Sequence, residues 1–310
     1  MSLIEKAVQR LEQLQNAQTF GQSTISLDAI GIGEVGGVVD IPHAPAEGAI
    51  MARETGGSRS KEVVMDLGRL AAQGLVTPDR PRSSIAEEYR VIKRPILKNV
   101  AMERSGNSNL IMVTSSLPGE GKSFTAINLA ISIAMELDHT VLLVDADVSK
   151  PSVLKIMGLS PERGLMDVLS EQSTDLSTSL LRTNIPKLSI LPAGMPHERA
   201  TELLASDSMN RLLEEVASRY ADRVIIFDSP PLIPTTEARV LAGHMGQIVM
   251  VVEAGRTTNG ALLQALTTIE ACPIKLMVLN KARDSGPGGY YGYGYGYGYG
   301  QSAEAAIDAV

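Results

Sequence analysis

Residues 110–123 read Leu-Ile-Met-Val-Thr-Ser-Ser-Leu-Pro-Gly-Glu-Gly-Lys-Ser, and this stretch decides the fold. An apolar run ends at Thr114, a glycine-containing turn follows, and a helical pattern begins near Lys122. Strand, tight turn and helix in that order make a P-loop, here with Ser116 where a leading Gly usually stands. Gly119 and Gly121 let successive backbone N–H groups curl around phosphate oxygens at the positive end of a helix. Pro118, Gly119, Glu120, Gly121, Lys122, Ser123 and Phe124 are therefore the candidate nucleotide-binding residues. Lys122 is placed to reach the β- and γ-phosphates of ATP, and the Ser123 hydroxyl to ligate Mg²⁺. A glycine turn that only caps a helix would not need Gly-Lys-Ser at the junction.

Two further apolar runs end in acids. Val141–Val144 leads into Asp145-Ala146-Asp147, and Val224–Phe227 leads into Asp228-Ser229-Pro230-Pro231. In an open parallel sheet, ligands sit at the carboxyl ends of the strands, so all three carboxylates should share an edge with the P-loop. A buried strand followed by Asp suits a Walker B acid that holds Mg²⁺ through water. The plainer alternative makes Asp147 a helix cap and Asp145 a solvated turn residue.

The rest of the chain after residue 109 fits that frame. Apolar runs at 110–114, 140–144, 188–191, 224–227, 247–252 and 274–279 read as buried strands. Helical patterns at 122–137, 207–220, 235–242 and 257–271 separate them. Continuous apolar strands alternating with helices predict an α/β, P-loop NTPase-type, mostly parallel sheet with helices on both faces. The predicted domain spans 109–283.

Upstream, residues 1–18 form an amphipathic helix with Leu3, Ile4, Ala7, Val8, Leu11 and Leu14 on one face. It suits docking on its own domain or on a partner equally well. Residues 19–60, rich in Gly, Ala, Pro and Ser, read as a flexible linker. Residues 61–108 read as a helical segment: one helix over 61–74, then a second from Ser84 to about Arg94. Downstream, residues 284–310 form a flexible tail. Six of the eight tyrosines stand there, Tyr290, Tyr291, Tyr293, Tyr295, Tyr297 and Tyr299, mostly alternating with Gly. Such a tract lacks the contacts and stiffness of a buried strand and presents its phenols to the surroundings.

Composition narrows the classes. With 28 Lys+Arg against 35 Asp+Glu, the net charge of −7 argues against a nucleic-acid-binding face. One cysteine excludes an internal disulfide, and Cys272 before Pro273 suits a buried inert thiol. The four histidines show no metal-ligand spacing. No apolar run approaches the ~18 residues of a membrane span, and no signal-peptide pattern opens the chain. A cytoplasmic protein is expected, brought to the membrane through a partner.

From Ser83 to Tyr299 these motifs together resemble the bacterial tyrosine kinases, which use a P-loop scaffold. Thr114–Ser123 corresponds to Walker A, Val141–Asp147 to Walker A′, Val224–Pro231 to Walker B, and the tyrosine cluster to the family's acceptor tail. The resemblance implies ATP·Mg²⁺-dependent autophosphorylation of the tail, in trans within a homo-oligomeric ring. It makes Lys122, Asp145, Asp147 and Asp228 the catalytic set, with Asp145 as the base for the tyrosine hydroxyl. Ser123, Asp147 and Asp228 become the metal residues, and the six tail tyrosines the phosphoacceptors. Glu87-Glu88-Tyr89-Arg90-Val91-Ile92-Lys93 resembles the family's Glu-x-x-Arg-x-x-Arg assembly helix, with Glu87, Arg90 and Lys93 expected on one face. An ordinary solvated charged face is the alternative. Lys93 replaces an Arg there, and Ser149 stands where the family has another, with Lys150 beside it; Lys lacks the bidentate fork of Arg.

A separate membrane co-polymerase as activator, a cognate tyrosine phosphatase and a role in exopolysaccharide synthesis and export follow from the same resemblance, closest to the cytoplasmic autokinases of exosortase-type loci. Two rivals stand beside it. A MinD- or ParA-like ATPase would carry a Lys five residues before the P-loop Lys, where this chain has Leu117. A non-catalytic Tyr-Gly tail could serve self-association alone.

Overall fold

The computed structural model describes residues 60–102, 107–171, 176–218 and 222–282. The expected helix at 1–18, the linker up to residue 59 and the tail at 284–310 lie outside the described residues. In chain order the elements are β1 (Lys61–Val63), α1 (Leu67–Ala72), α2 (Ser84–Met102), β2 (Leu110–Ser115), α3 (Lys122–Ala134) and β3 (Thr140–Asp145). Then come α4 (Val153–Met157), α5 (Leu165–Ser170), α6 (Leu176–Ser179), β4 (Leu181–Thr183), β5 (Leu188–Leu191), α7 (Ala200–Leu204) and α8 (Asp207–Ser218). The chain continues with β6 (Arg223–Asp228), α9 (Thr236–Ala242), β7 (Gln247–Glu253), α10 (Asn259–Thr267) and β8 (Ile274–Asn280).

The eight strands form one sheet in the order β1-β4-β5-β3-β6-β2-β7-β8. Every pairing is parallel except β4 with β5. Successive strand residues point to opposite faces, and the core divides accordingly. Ile111, Val113, Val141, Leu143, Ile226, Val249 and Val251 pack with α1–α4. Leu110, Met112, Leu142, Val144, Phe227, Ile248 and Met250 pack with α5–α10. Both faces are covered, which is why the central strands read as unbroken apolar runs.

All six expected strands are present, and the two missed ones are three residues each. The helix expected over 61–74 is instead β1 followed by the short α1. Lys61–Val63 pair in parallel with Leu181–Thr183. The Asn184 side chain then continues the ladder, accepting from Met65 N at 2.9 Å and donating to Met65 O at 3.0 Å. Asp66 caps α1 by accepting from Arg69 N, so the helix starts six residues later than its apolar spacing suggests. The helix expected to stop near Arg94 runs through Pro95 to Met102. Buried Ile96 and Leu97 hold its second half on the core, and this packing outweighs the proline.

The same helix corrects the expected assembly face. Glu87 and Arg90 form an exposed ion pair, but Lys93 is only 4% exposed. Its Nζ donates to Ser132 O at 2.5 Å and pairs with Glu136 at 2.8 Å. At about 100° per residue, position 93 sits about 120° around the helix from position 87, enough to turn it inward. Arg94, 59% exposed, takes the outward place and also meets Glu136 at 2.9 Å.

Asn128, buried within α3, accepts from Val76 N at 2.6 Å and donates to Phe124 O at 3.0 Å, tying the segment after α1 to the core. Asn128→Leu strands the buried Val76 N–H and should cost about 1–3 kcal/mol. The expected readout is a lower urea midpoint at unchanged slope; an unmoved midpoint would show that this bond contributes nothing.

Candidate active site

β2 delivers the P-loop at the carboxyl edge of the sheet. Its turn is closed by side chains from three directions. Glu120, 1% exposed, folds back to accept from Leu117 N at 2.9 Å and from the Thr257 hydroxyl. Asn280 at the end of β8 donates to Glu120 O at 2.8 Å, and Lys281 Nζ donates to Gly119 O at 2.8 Å. Gly119 and Gly121 hold φ of 87° and 100°. At Gly121 a Cβ would stand 2.0 Å from the Asn280 amide, so glycine is required twice over, by backbone conformation and by space. Of the expected nucleotide-binding residues, Pro118 and Gly119 are exposed, Glu120 braces the loop with its side chain, and Phe124 packs against the core.

The acids arrive as expected. Asp145 and Asp228 are direct register partners on β3 and β6, and Asp228 is the register partner of Val113 on β2. Lys122 Nζ lies 2.6 Å from Asp147 Oδ2, 3.9 Å from Asp228 Oδ1 and 3.4 Å from Ser123 Oγ. Asp147 Oδ1 also accepts from Ser149 Oγ at 3.3 Å and Lys150 N at 3.2 Å, so it caps its turn and holds the lysine at once. Lys150 meets it only through the backbone, and its side chain is exposed. Asp145 Oδ2 accepts from Ser152 N and Val153 N, both at 3.0 Å. Ser152 Oγ donates to Ser123 Oγ at 2.9 Å.

Three buried carboxylate oxygens have no hydrogen-bond partner in good geometry: Asp145 Oδ1 and both of Asp228. Burial pushes Asp145 up to about 6 against the two backbone bonds, and pushes Asp228 up to about 7 despite Lys122. Burial alone would lower the Lys122 ammonium, but Asp228 and Asp147 outweigh it and hold it above the usual range. Three acids against one base leave an unmet demand for positive charge. Among the described residues no three His, Cys, Asp or Glu side chains form a complete metal cage. Mg²⁺ takes one or two protein ligands and fills its octahedron with water and phosphate oxygens. The Ser123 hydroxyl with the orphaned Asp228 and with Asp147 fits that need.

The tail tyrosines lie outside the described residues. Tyr89 is buried, and burial pushes its phenol up to about 12. The bracing residues Thr257, Asn280 and Lys281 escaped the sequence reading, since they come from strand ends remote from the P-loop in sequence. The one available signal was the polar Asn-Lys pair closing the apolar run 274–279.

Fold and site together define a P-loop nucleotide-binding protein, and residues 108–277 match the AAA domain family model. The tyrosine-protein kinase YwqD of Bacillus subtilis is 32% identical over 229 residues, covering 73% of this chain and 94% of its own length. The succinoglycan biosynthesis transport protein ExoP of Rhizobium meliloti is 32% identical over 237 residues, 75% of this chain but 29% of that protein. The kinase domain of the Escherichia coli tyrosine kinase ETK superposes with a TM-score of 0.57 at 25% identity, covering 76% of this chain and 96% of that domain. The chain belongs to the bacterial tyrosine kinase family.

Two measurements test the site. Asp228→Asn removes a charge that the metal-free protein holds without a hydrogen bond. The wild-type penalty is full above about pH 7 and vanishes as pH falls toward the unfolded value near 4, because the folded form takes up its proton first. The variant should thus melt roughly 3–8 °C higher at pH 8, with the gain shrinking toward pH 5; equal or lower Tm at pH 8 would contradict this. Asn280→Ala should weaken nucleotide binding about 5–10-fold, roughly 1–1.4 kcal/mol, by releasing the loop. Titration with a fluorescent ATP analogue reads it, and an unchanged Kd would show that Asn280 does not hold the cradle.

Proposed function

We propose that this chain is an ATP- and Mg²⁺-dependent protein-tyrosine autokinase that phosphorylates Tyr290, Tyr291, Tyr293, Tyr295, Tyr297 and Tyr299 of a second copy. The observation that carries this reading is the Asp145 carboxylate. One oxygen is fixed by two backbone N–H groups and the other is buried without a partner, beside the Lys122 cradle. A phenol brought to that oxygen would give up its proton there as its own oxygen bonds to the γ-phosphorus, and the bond from that phosphorus to the β,γ-bridging oxygen would break to release ADP. Lys122 would shift from Asp147 to the β- and γ-phosphates. Bound Mg²⁺ would supply charge neutralisation at the phosphates, held by Ser123, Asp147 and Asp228.

The wider role rests on kinship and on the tail. From Arg283 to Tyr299 the chain spans at most ~55 Å when extended, enough to enter a neighbouring subunit. Six phosphotyrosines would add about −9 to −12 charges per chain, so crowded arms in a ring would repel and favour its dispersal. A separate membrane co-polymerase as activator and a tyrosine phosphatase would complete a cycle governing exopolysaccharide export from the cytoplasmic side. Among the described residues no helix is long and apolar enough to cross a membrane. Glu87 and Arg90 remain the candidates for a subunit contact, with Arg94 rather than Lys93 beside them.

A mixing experiment tests the reading. Lys122→Met protein with its tail intact is incubated with Mg-ATP and active protein ending at residue 283, with and without membranes carrying the activator. Phosphotyrosine on the Lys122→Met chain is the expected result, and its loss when Asp145→Asn is placed in the active chain. A tail unlabelled under every condition would remove the kinase reading and leave a P-loop ATPase with an adhesive arm.

A further inference from the structure

Next to the phosphate cradle, a cleft of about 510 Å³ opens between α1, α4 and the turns after β3 and β5. Asp145, Ser152, Arg69 and Lys155 all line it. Gly158, at φ 76°, leaves room for Arg69: a Cβ there would stand 2.1 Å from the guanidinium. Glu162, also on the wall, is already paired with Lys61. Among the described residues neither Arg69 nor Lys155 has an ion-pair partner. Two cations without an ion-pair partner therefore share a cleft with Asp145, one oxygen of which is buried without a hydrogen-bond partner in good geometry.

The acceptor alone does not account for those cations. Residues 290–299 contain only Tyr and Gly, so an unmodified tail brings them no anion. The cleft is about 8 Å across if isotropic, and same-face side chains of an extended chain stand about 6.8 Å apart. With one tyrosine of the alternating tract at Asp145, the tyrosine two residues away would stand about 6.8 Å further on, a spacing comparable to the cleft's extent. Once phosphorylated, that neighbour carries about −1.5 to −2 charges and oxygens matched to a guanidinium fork.

We propose that Arg69 and Lys155 form a phosphotyrosine subsite beside the acceptor position, so that a tail already carrying phosphate is a better substrate than a bare one. The inference rests on the kinase reading above and adds an order to it: the first transfer onto a tail is slow, and later ones on the same tail follow faster. Charge that would hinder successive modification on a free peptide is turned to advantage inside the cleft.

Intact-mass spectrometry of the full chain during a Mg-ATP time course tests this, counting phosphates per tail. For six independent acceptors, the second transfer would run at five-sixths the rate of the first. The wild type should exceed that ratio about fivefold, the scale of one or two partly exposed charge-assisted contacts, leaving mostly empty and heavily loaded tails. Arg69→Gln with Lys155→Gln should bring the ratio back to about five-sixths whatever the absolute rate, and Arg69→Lys should keep part of the excess. Lys155→Gln alone, at an exposed position, serves if the double variant does not fold, and should lower the ratio by itself. A wild-type ratio at or below five-sixths overturns the subsite while leaving the kinase intact, as does an excess that survives both substitutions. Tails that gain no phosphate at all overturn the kinase reading and this one with it.

Discussion

A single ammonium, Lys122, faces Asp147 at 2.6 Å and Asp228 at 3.9 Å, with Asp145 one strand away. With Asp145 and Asp228 both buried, one ammonium does not balance three carboxylates. The protein holds two carboxyls well above their ordinary range rather than solvating them, and orphaned buried acceptors of this kind cost stability. A nucleotide with its cation reverses the balance. Bound phosphates would draw Lys122 away, and a divalent ion would supply positive charge in its place. The surplus of buried negative charge is thus the feature that a metal-bound polyphosphate would relieve.

Sheet order creates that tension. β6 lies between β3 and β2 although it is far from both in sequence. Parallel pairing puts Asp145 opposite Asp228 and sets both beside the strand that leads into the P-loop. Adjacent strands stand about 4.8 Å apart, so the backbone ladder alone forces the two acids together. No side-chain contact has to be invoked for their proximity. The site is a consequence of topology, and the lysine is what the site then requires.

The sequence made the central architecture legible because two periodicities spoke clearly. Unbroken apolar runs marked strands buried on both faces, and acids at the ends of 141–144 and 224–227 marked the ligand edge. What escaped it depended on tertiary partners. Lys61–Val63 becomes a strand because Leu181–Thr183 and Asn184 offer it a ladder, and three residues carry no period. Pro95 reads as a stop, yet Ile96 and Leu97 are drawn onto the core beyond it. Lys93 reads as surface charge until Ser132 of the neighbouring helix and Glu136 just beyond its end receive it. The cleft by Asp145 is assembled from segments as distant as Arg69 and Gly194, and no local pattern announces such a meeting.

The parallel sheet also fixes where the C-terminal arm begins. Strands that run in one direction all end at one edge, so β8 finishes at the same edge as β2, β3 and β6. Its last residues do not merely arrive there. Asn280 grips the P-loop backbone at Glu120, and Lys281 bridges Gly119 and Glu253. The segment that leads into the tyrosine tract is therefore the segment that closes the phosphate cradle. An antiparallel last strand would have released the arm at the far edge, a full strand length from the phosphates. With this topology, the phosphate cradle and the last strand's final residues, Asn280 and Lys281, occupy one edge of the sheet.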